Sequence, residues 1–257
     1  MCSDAYFATI RALFDTFDDP FVFTPGDNEW TDCHRTSNGK YFPPERLAAV
    51  RRTFFPVAGR TLGRNPAAVL SQASEPGYES FVENQLWSES GVVFSALNVT
   101  GSNNDLLPWT NVTPDQAAQQ PYEYHSRLAA DVAWLYKTFA SAIVQQAPAV
   151  VLMMQADMWD AGDGSLAGFT PLVQRIAGLA GAFGRPVLLL EGDSHSFRVD
   201  HPFTPGDPLY ALHPLGGLAA PNVTRIVVEG STNPTEYLRL AVDPSTPQVF
   251  SWERVPL

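Results

Sequence analysis

The chain has 257 residues, 45% hydrophobic and 12% aromatic, which is enough apolar material for a large core in one domain spanning 1–257. A net charge of −11 excludes the clustered basic surface that nucleic acid requires, and equally an anionic membrane surface as partner. No run reaches the roughly 18–20 apolar residues of a membrane span, and Met1-Cys2-Ser3-Asp4 carries no basic region leading into an apolar stretch, so no signal peptide is visible.

Residues 4–17 predict an amphipathic helix with Tyr6, Ile10, Leu13 and Phe14 on one face. Phe21-Val22-Phe23 predicts a brief buried strand that runs into the loop Thr24 to Trp30, and Pro44 with Glu45 opens a second helix to about residue 54. Segments 79–87 and 91–99 predict a hairpin turning at Ser88 to Gly91. A polar loop, 100–121, leads to the longest helix, about 125–147, with Leu128, Val132, Leu135, Phe139 and Ile143 in register. The apolar run Ala149 to Met154 suits a strand buried on both faces. A glycine-rich stretch, 161–168, precedes a helix over 170–183, and Pro186 to Leu190 is another wholly apolar strand. Three further strands, 224–229, 236–242 and 248–254, have the spacing of a meander.

Polar loops therefore follow buried strands, the position at which open α/β sheets bind ligands. Three of them carry side chains with chemical potential: Gly26-Asp27-Asn28-Glu29, Gln155-Ala156-Asp157, and Gly192-Asp193-Ser194-His195. Carboxylate, amide and imidazole form a mixed oxygen and nitrogen set suited to Mn, Fe or Zn. Each loop taken alone also reads as an ordinary turn, because Gly, Asp, Asn and Ser are turn residues. Cys2 and Cys33 lie outside any zinc-like spacing; they either close a disulfide loop, which suits an oxidising compartment, or remain thiols.

The segment Phe23 to His34, with its Gly26-Asp27-Asn28-Glu29-Trp30 core, resembles the GNH[ED] region of calcineurin-like metallophosphoesterases, in the GDNEW variant of a bacterial group. Gly192-Asp193-Ser194-His195 resembles that group's closing GHxH motif, and Val151 to Asp157 lies where the family has a strand ending in a histidine ligand. The resemblance runs in order from Cys2 to about Pro202. It implies an α/β/β/α sandwich of mixed sheets and metal-dependent hydrolysis of a small phosphate mono- or diester. By it, Asp27, Gln155 or Asp157, Asp193 and His195 are metal ligands, and Asn28 and His195 serve catalysis. Beside it, Arg198 reads either as a bidentate holder of a substrate phosphate or as the partner of Asp200 or another acid.

Departures from the family pattern accompany it. Asn28 replaces a histidine and donates hydrogen bonds, but it cannot act as a general acid near neutral pH. Asp193 replaces the first histidine of GHxH. The 26 residues before Asp27 contain neither the D-x-H nor the GD motif that the family places there, so the expectation is a sandwich short of its first strands, holding one metal rather than two. The complete form is expected in the periplasm or outside the cell. Two rival readings stand beside this one: a non-catalytic scaffold descended from that fold, and an SGNH-type esterase using Ser194, with Gly101-Ser102-Asn103-Asn104-Asp105 as its GxND block. Trp30 and Trp87 read as packing aromatics, and His34 as a loop hydrogen-bonding group.

Overall fold

The architecture comes from a computed structural model, which describes residues 1–230 and 234–257. In chain order the strands are β1 (Leu70–Ser71), β2 (Gln85–Glu89), β3 (Val92–Ala96), β4 (Val150–Met153), β5 (Val187–Glu191), β6 (Arg198–Asp200), β7 (Val223–Val227), β8 (Glu236–Val242) and β9 (Phe250–Pro256). The first seven form one mixed sheet in the order β1-β2-β3-β4-β5-β7-β6. Its centre is parallel: Val93 lies opposite Val150, Val150 opposite Val187, and Val187 opposite Val223. Antiparallel strands close both sides, β2 and β1 on one and β6 on the other. The protein is thus mixed α/β.

Both faces of the parallel strands are covered, which explains their unbroken apolar runs. On one face Val150, Leu152, Val187 and Leu189 pack beneath the helices Gln120–Val144 and Thr170–Phe183, through Trp134, Leu135, Phe139 and Ile176. On the other, Val151, Leu188 and Ile226 meet Leu238, Leu240 and Trp252 of the β8–β9 ribbon. A third cluster, built on Phe7, Val50, Phe54 and Phe55, holds the helices Asp4–Phe14 and Pro43–Phe54 together.

Local signals explain several boundaries. Ser3 caps the first helix by accepting from the Tyr6 N–H at 3.2 Å. Pro171 opens the helix Thr170–Phe183, and Gly184 ends it at φ 68°, the left-handed conformation that glycine adopts without a Cβ penalty. Pro121 starts the longest helix at Gln120, five residues earlier than periodicity alone predicts, and Gln146 at φ 55° stops it before residue 147. The first helix ends at Phe14 rather than 17. The predicted strand at 21–23 is reduced to a single bridge between Phe21 and Leu62, and of the predicted 79–87 only 85–87 pairs in the sheet, the strand running on through Glu89 into the predicted turn.

The predicted meander of 224–229, 236–242 and 248–254 does not form. β7 is buried on both faces and joins the parallel sheet, whereas β8 and most of β9 alternate exposed and half-buried residues, a pattern that suits a ribbon lying on one face of the sheet. Among the described residues, no helix is long and apolar enough to cross a membrane.

Candidate functional site

Parallel strands β4 and β5 lead into the loops carrying Gln155 and Asp193. The turn at Asp27, which follows a single bridge rather than a sheet strand, meets them there. Asp27 opens a short 3-10 turn, Asp27–Glu29, whose approach is pinned where Thr24 donates its hydroxyl to the Leu97 carbonyl at 2.8 Å, just beyond β3. The Glu29 carboxylate accepts from the Gly26 N–H at 2.9 Å, closing the turn on itself. A Cβ on Gly26 would fall 2.6 Å from Gln155 Cγ, so the missing side chain is what lets Gln155 approach. The disulfide between Cys2 and Cys33, with Cα atoms 5.8 Å apart, ties this loop to the start of the first helix.

Gln155, at the end of β4, is the centre of the arrangement. Its Nε2 donates to Asp27 Oδ1 at 3.1 Å and to Asp193 Oδ1 at 2.9 Å. Its Oε1 accepts from the Gly101 N–H at 2.8 Å and from the Asp27 N–H at 3.3 Å. One amide therefore holds two carboxylates from loops 166 positions apart in sequence, since 193 − 27 = 166. Burial first, and the nearby charge of Asp193 second, push the Asp27 carboxyl up to about 8. Asp193 takes the left-handed backbone at φ 68°, and a Cβ on Gly101 would lie 2.5 Å from its Oδ2. Gly101 thus belongs to the site through its close approach, although its sequence context suggested only a rival motif.

The other predicted residues are placed differently. Asn28 turns onto Asp27: its backbone N–H donates to Asp27 Oδ1 at 2.8 Å and its side-chain amide to the same oxygen at 3.3 Å. Asp157 is buried, with Oδ1 taken by Arg225 and the Trp159 N–H and Oδ2 by Arg198 at 3.0 Å. It is a member of an ion-pair network. Arg198, on β6, spends its Nη2 on Asp157 and on Ser194 Oγ at 2.6 Å, while Asp200 pairs with Arg225. Ser194 therefore accepts from a group that never serves as a base, which is poor support for a nucleophile. His195 is exposed at φ 59°, and a Cβ on Gly230 would meet its own Cβ at 2.2 Å. His34 accepts the Thr110 N–H at Nδ1, 2.9 Å away, as a loop hydrogen-bonding group should.

Among the described residues, no three His, Cys, Asp or Glu side chains form a group that could hold a metal ion. The donor chemistry at Asp27 and Asp193 nevertheless suits a hard divalent cation. Two carboxylates are held near one another, one is kept protonated by burial and by the other's charge, and a dication would relieve both costs.

Sequence reasoning missed the wall opposite. Ser102, Asn103, Asn104 and Asp105 are consecutive left-handed residues, with φ between 53° and 67°. For L-residues that conformation costs about 1–2 kcal/mol each, less for Asn and Asp. Side-chain bonds hold it open: Ser102 donates to Asp32 Oδ1 at 2.6 Å, Asn103 Oδ1 accepts the Gly168 N–H at 2.8 Å, and Arg127 donates to the Asn104 carbonyl at 3.0 Å. Trp109 donates its indole N–H to Asp105 at 2.7 Å. A Cβ on Gly168 would sit 2.0 Å from the Asn103 carbonyl oxygen, so only glycine fits beneath the turn. The available signal was the unbroken Gly-Ser-Asn-Asn-Asp run, since Asn and Asp tolerate left-handed backbone. Between this wall and the carboxylates lies a cavity of ≈ 160 Å³ lined by Asp27, Arg35, Ser102, Asn103, Asp157 and Asp193.

Behind the site the protein buries charge heavily. Asp131 accepts from Asn84 at 2.8 Å, leaves its second oxygen without a hydrogen-bond partner, and is pushed up to about 8 by burial. Burial likewise pushes Glu191 up to about 8. A carboxyl with a folded pKa near 8 and an unfolded pKa of about 4 binds more protons folded than unfolded between those values. The stability it contributes is present below pH ~4 and is lost as pH rises through 8. The chain is therefore expected to be more stable at pH ~5 than at pH ~8.5, the loss accumulating across that range. Asp131→Asn, which mimics the protonated form, should raise stability at the higher pH by about 1–2 kcal/mol and leave the lower value nearly unchanged. Denaturant melts at both pH values check this, and equal pH slopes for the two proteins would show that Asp131 is ionised in the folded state.

The chain matches no family model, no curated protein and no solved structure.

Proposed function

We propose that the chain is a divergent metallophosphoesterase-type protein that hydrolyses small phosphate esters with a divalent metal ion, Mn, Fe or Zn. The observation that carries this reading is Gln155, just past parallel strand β4, bridging Asp193, just past parallel strand β5, to Asp27 of the N-terminal turn. The resemblance assigns a metal-ligand role to all three positions from three separated segments. A helix layer, a mixed sheet and the β8–β9 ribbon on its second face agree with part of an α/β/β/α sandwich.

In this reading Asp27 and Asp193 hold the cation, with Gln155 setting their separation and His195 joining them as the resemblance implies. A bound dication supplies positive charge to the phosphoryl oxygens and lowers the pKa of a water. Asp27 must lose its proton to serve. Asn28, already hydrogen-bonded to Asp27, turns its amide toward a substrate oxygen and orients it, and protonation of the leaving group falls to solvent. With one metal in place of two, turnover is expected to be slow.

The test is direct. Isothermal titration of the purified chain with Mn, Zn and Fe(II) should show binding, and bis(p-nitrophenyl) phosphate should be hydrolysed in the presence of the bound ion. Asp193→Ala should lower hydrolysis about 100-fold or more, and metal affinity with it. No metal binding, together with unchanged hydrolysis in Asp193→Ala, would sink the reading. Metal binding without hydrolysis would favour the non-catalytic scaffold.

A further inference from the structure

The cavity beside Asp27 and Asp193 has a second chemical feature that the family resemblance does not assign. Arg35 lines it. Its Nη1 lies 2.8 Å from Asp32 Oδ2 and its Nη2 donates to Ser102 Oγ at 3.0 Å, yet the side chain remains 43% exposed. Asp32 is buried at 2% and Ser102 at 6%, and the two are joined to each other at 2.6 Å. The guanidinium is therefore fixed through two nitrogens to buried groups while the side chain lines the cavity and stays partly exposed. These contacts use two of its five N–H donors.

The cost of holding Ser102 there is itself informative. Serine at φ 55° is strained in a way that glycine would not be, and the strained residue contributes the hydroxyl that clamps Arg35. Strain of this kind concentrates where a side chain must be held for binding. The cavity, at ≈ 160 Å³, is smaller than the roughly 300–1,000 Å³ of sites that enclose whole small molecules. Its lining is polar and its size suits one anionic group, with the rest of the ligand outside.

We infer that Arg35, clamped by Asp32 and Ser102, binds the phosphate group of the substrate in this cavity, opposite the Asp27–Gln155–Asp193 cluster. The guanidinium fork reads the tetrahedral oxyanion through paired N–H donors. Asp157 is already paired with Arg198 and Arg225, and burial keeps Asp27 protonated. A cation binding at Asp27 and Asp193 displaces that proton and adds positive charge beside the anion, so a bound metal favours phosphate. The inference deepens the phosphoesterase reading by naming the group that recognises the anion, and the experiment separates the two.

Equilibrium dialysis of labelled orthophosphate is measured with and without Mn, for wild type, Arg35→Gln, Arg35→Lys and Ser102→Gly. Titration of Mn into each protein reports whether the carboxylate site is intact. Wild type should bind phosphate in the presence of Mn. Arg35→Gln should weaken it roughly tenfold or more with Mn affinity unchanged, and Arg35→Lys should recover part of the loss. Ser102→Gly relieves the strained backbone and frees the guanidinium, so it should weaken phosphate about three- to fivefold without lowering the melting temperature. Phosphate affinity unaltered in Arg35→Gln, or no phosphate binding by wild type, overturns the inference. Arg35-dependent phosphate binding without any Mn binding upholds it and removes the metal reading instead.

Discussion

Arg225→Met is expected to leave the chain largely unfolded at neutral pH. Arg225 sits in the middle of β7 with its side chain wholly buried. It meets Asp157 at 2.5 Å, Glu191 at 2.9 Å and Asp200 at 2.6 and 2.8 Å, and its guanidinium lies 4.9 Å from the Trp159 ring centroid. Asp157 and Glu191 are as buried as the arginine, and Asp200 is only 17% exposed. Methionine keeps most of the apolar stem but leaves Glu191 and Asp200 without their cation and Asp157 with Arg198 alone.

Removing one partner from a buried pair costs about 3–5 kcal/mol, a large share of the roughly 5–15 kcal/mol that holds a domain folded. Burial already keeps Glu191 protonated to about 8 with the arginine present, so the carboxyls can escape only by taking up protons. The loss should therefore be smaller at pH ~5 than at pH ~8, and Arg225→Met with Glu191→Gln should recover part of it. Soluble yield and urea midpoints at both pH values decide the matter. A single variant melting within about 1 kcal/mol of wild type would mean that the network contributes little.

Reduction of the Cys2–Cys33 bridge is expected to destabilise the chain by about 3–4 kcal/mol, from the chain entropy of a loop with 31 residues of separation. Both cysteines are fully buried, and Cys33 is further anchored where the Tyr41 N–H donates to its carbonyl at 2.8 Å. The bridge fastens the first helix to the loop that begins at Asp27, so its loss should also loosen that turn. Urea unfolding with and without a phosphine reductant, with thiol titration to confirm complete reduction, measures the effect. The double variant with both cysteines changed to alanine should match the reduced protein. Coincident unfolding curves for the oxidised and reduced chains would refute the claim.

The contrast between these two residues shows how much of the fold was legible beforehand. A bridge between Cys2 and Cys33 could be posed as a question from sequence, because there were only two cysteines to join. Arg225 could not, because Val-Thr-Arg-Ile-Val reads equally as an edge strand with a solvated arginine. Its burial follows from β6 and β5 pairing on either side of β7, a non-local fact. The same holds for 236–242 and 248–254: their spacing suggested a meander with 224–229, but the second forms at Phe250–Pro256 and the two pair only with each other.

The local chemistry of the chain was sufficient to place the apolar parallel strands, the prolines and glycines that bound the helices, and the loops carrying Asp27, Gln155 and Asp193. Period and turn residues act over a few positions, so they leave their mark in the sequence. Which of those loops meet was settled only in three dimensions. Gln155 reaches both aspartates because Gly26 and Gly101 remove the atoms that would keep the loops apart. Asp157, two residues further, is claimed by Arg225 and Arg198 instead. Arg35 and the left-handed turn at 102–105 joined the cavity for a similar reason: Arg35 pairs locally with Asp32 but is clamped by Ser102, and the turn is held by Asp32, Gly168 and Arg127, all far from it in sequence.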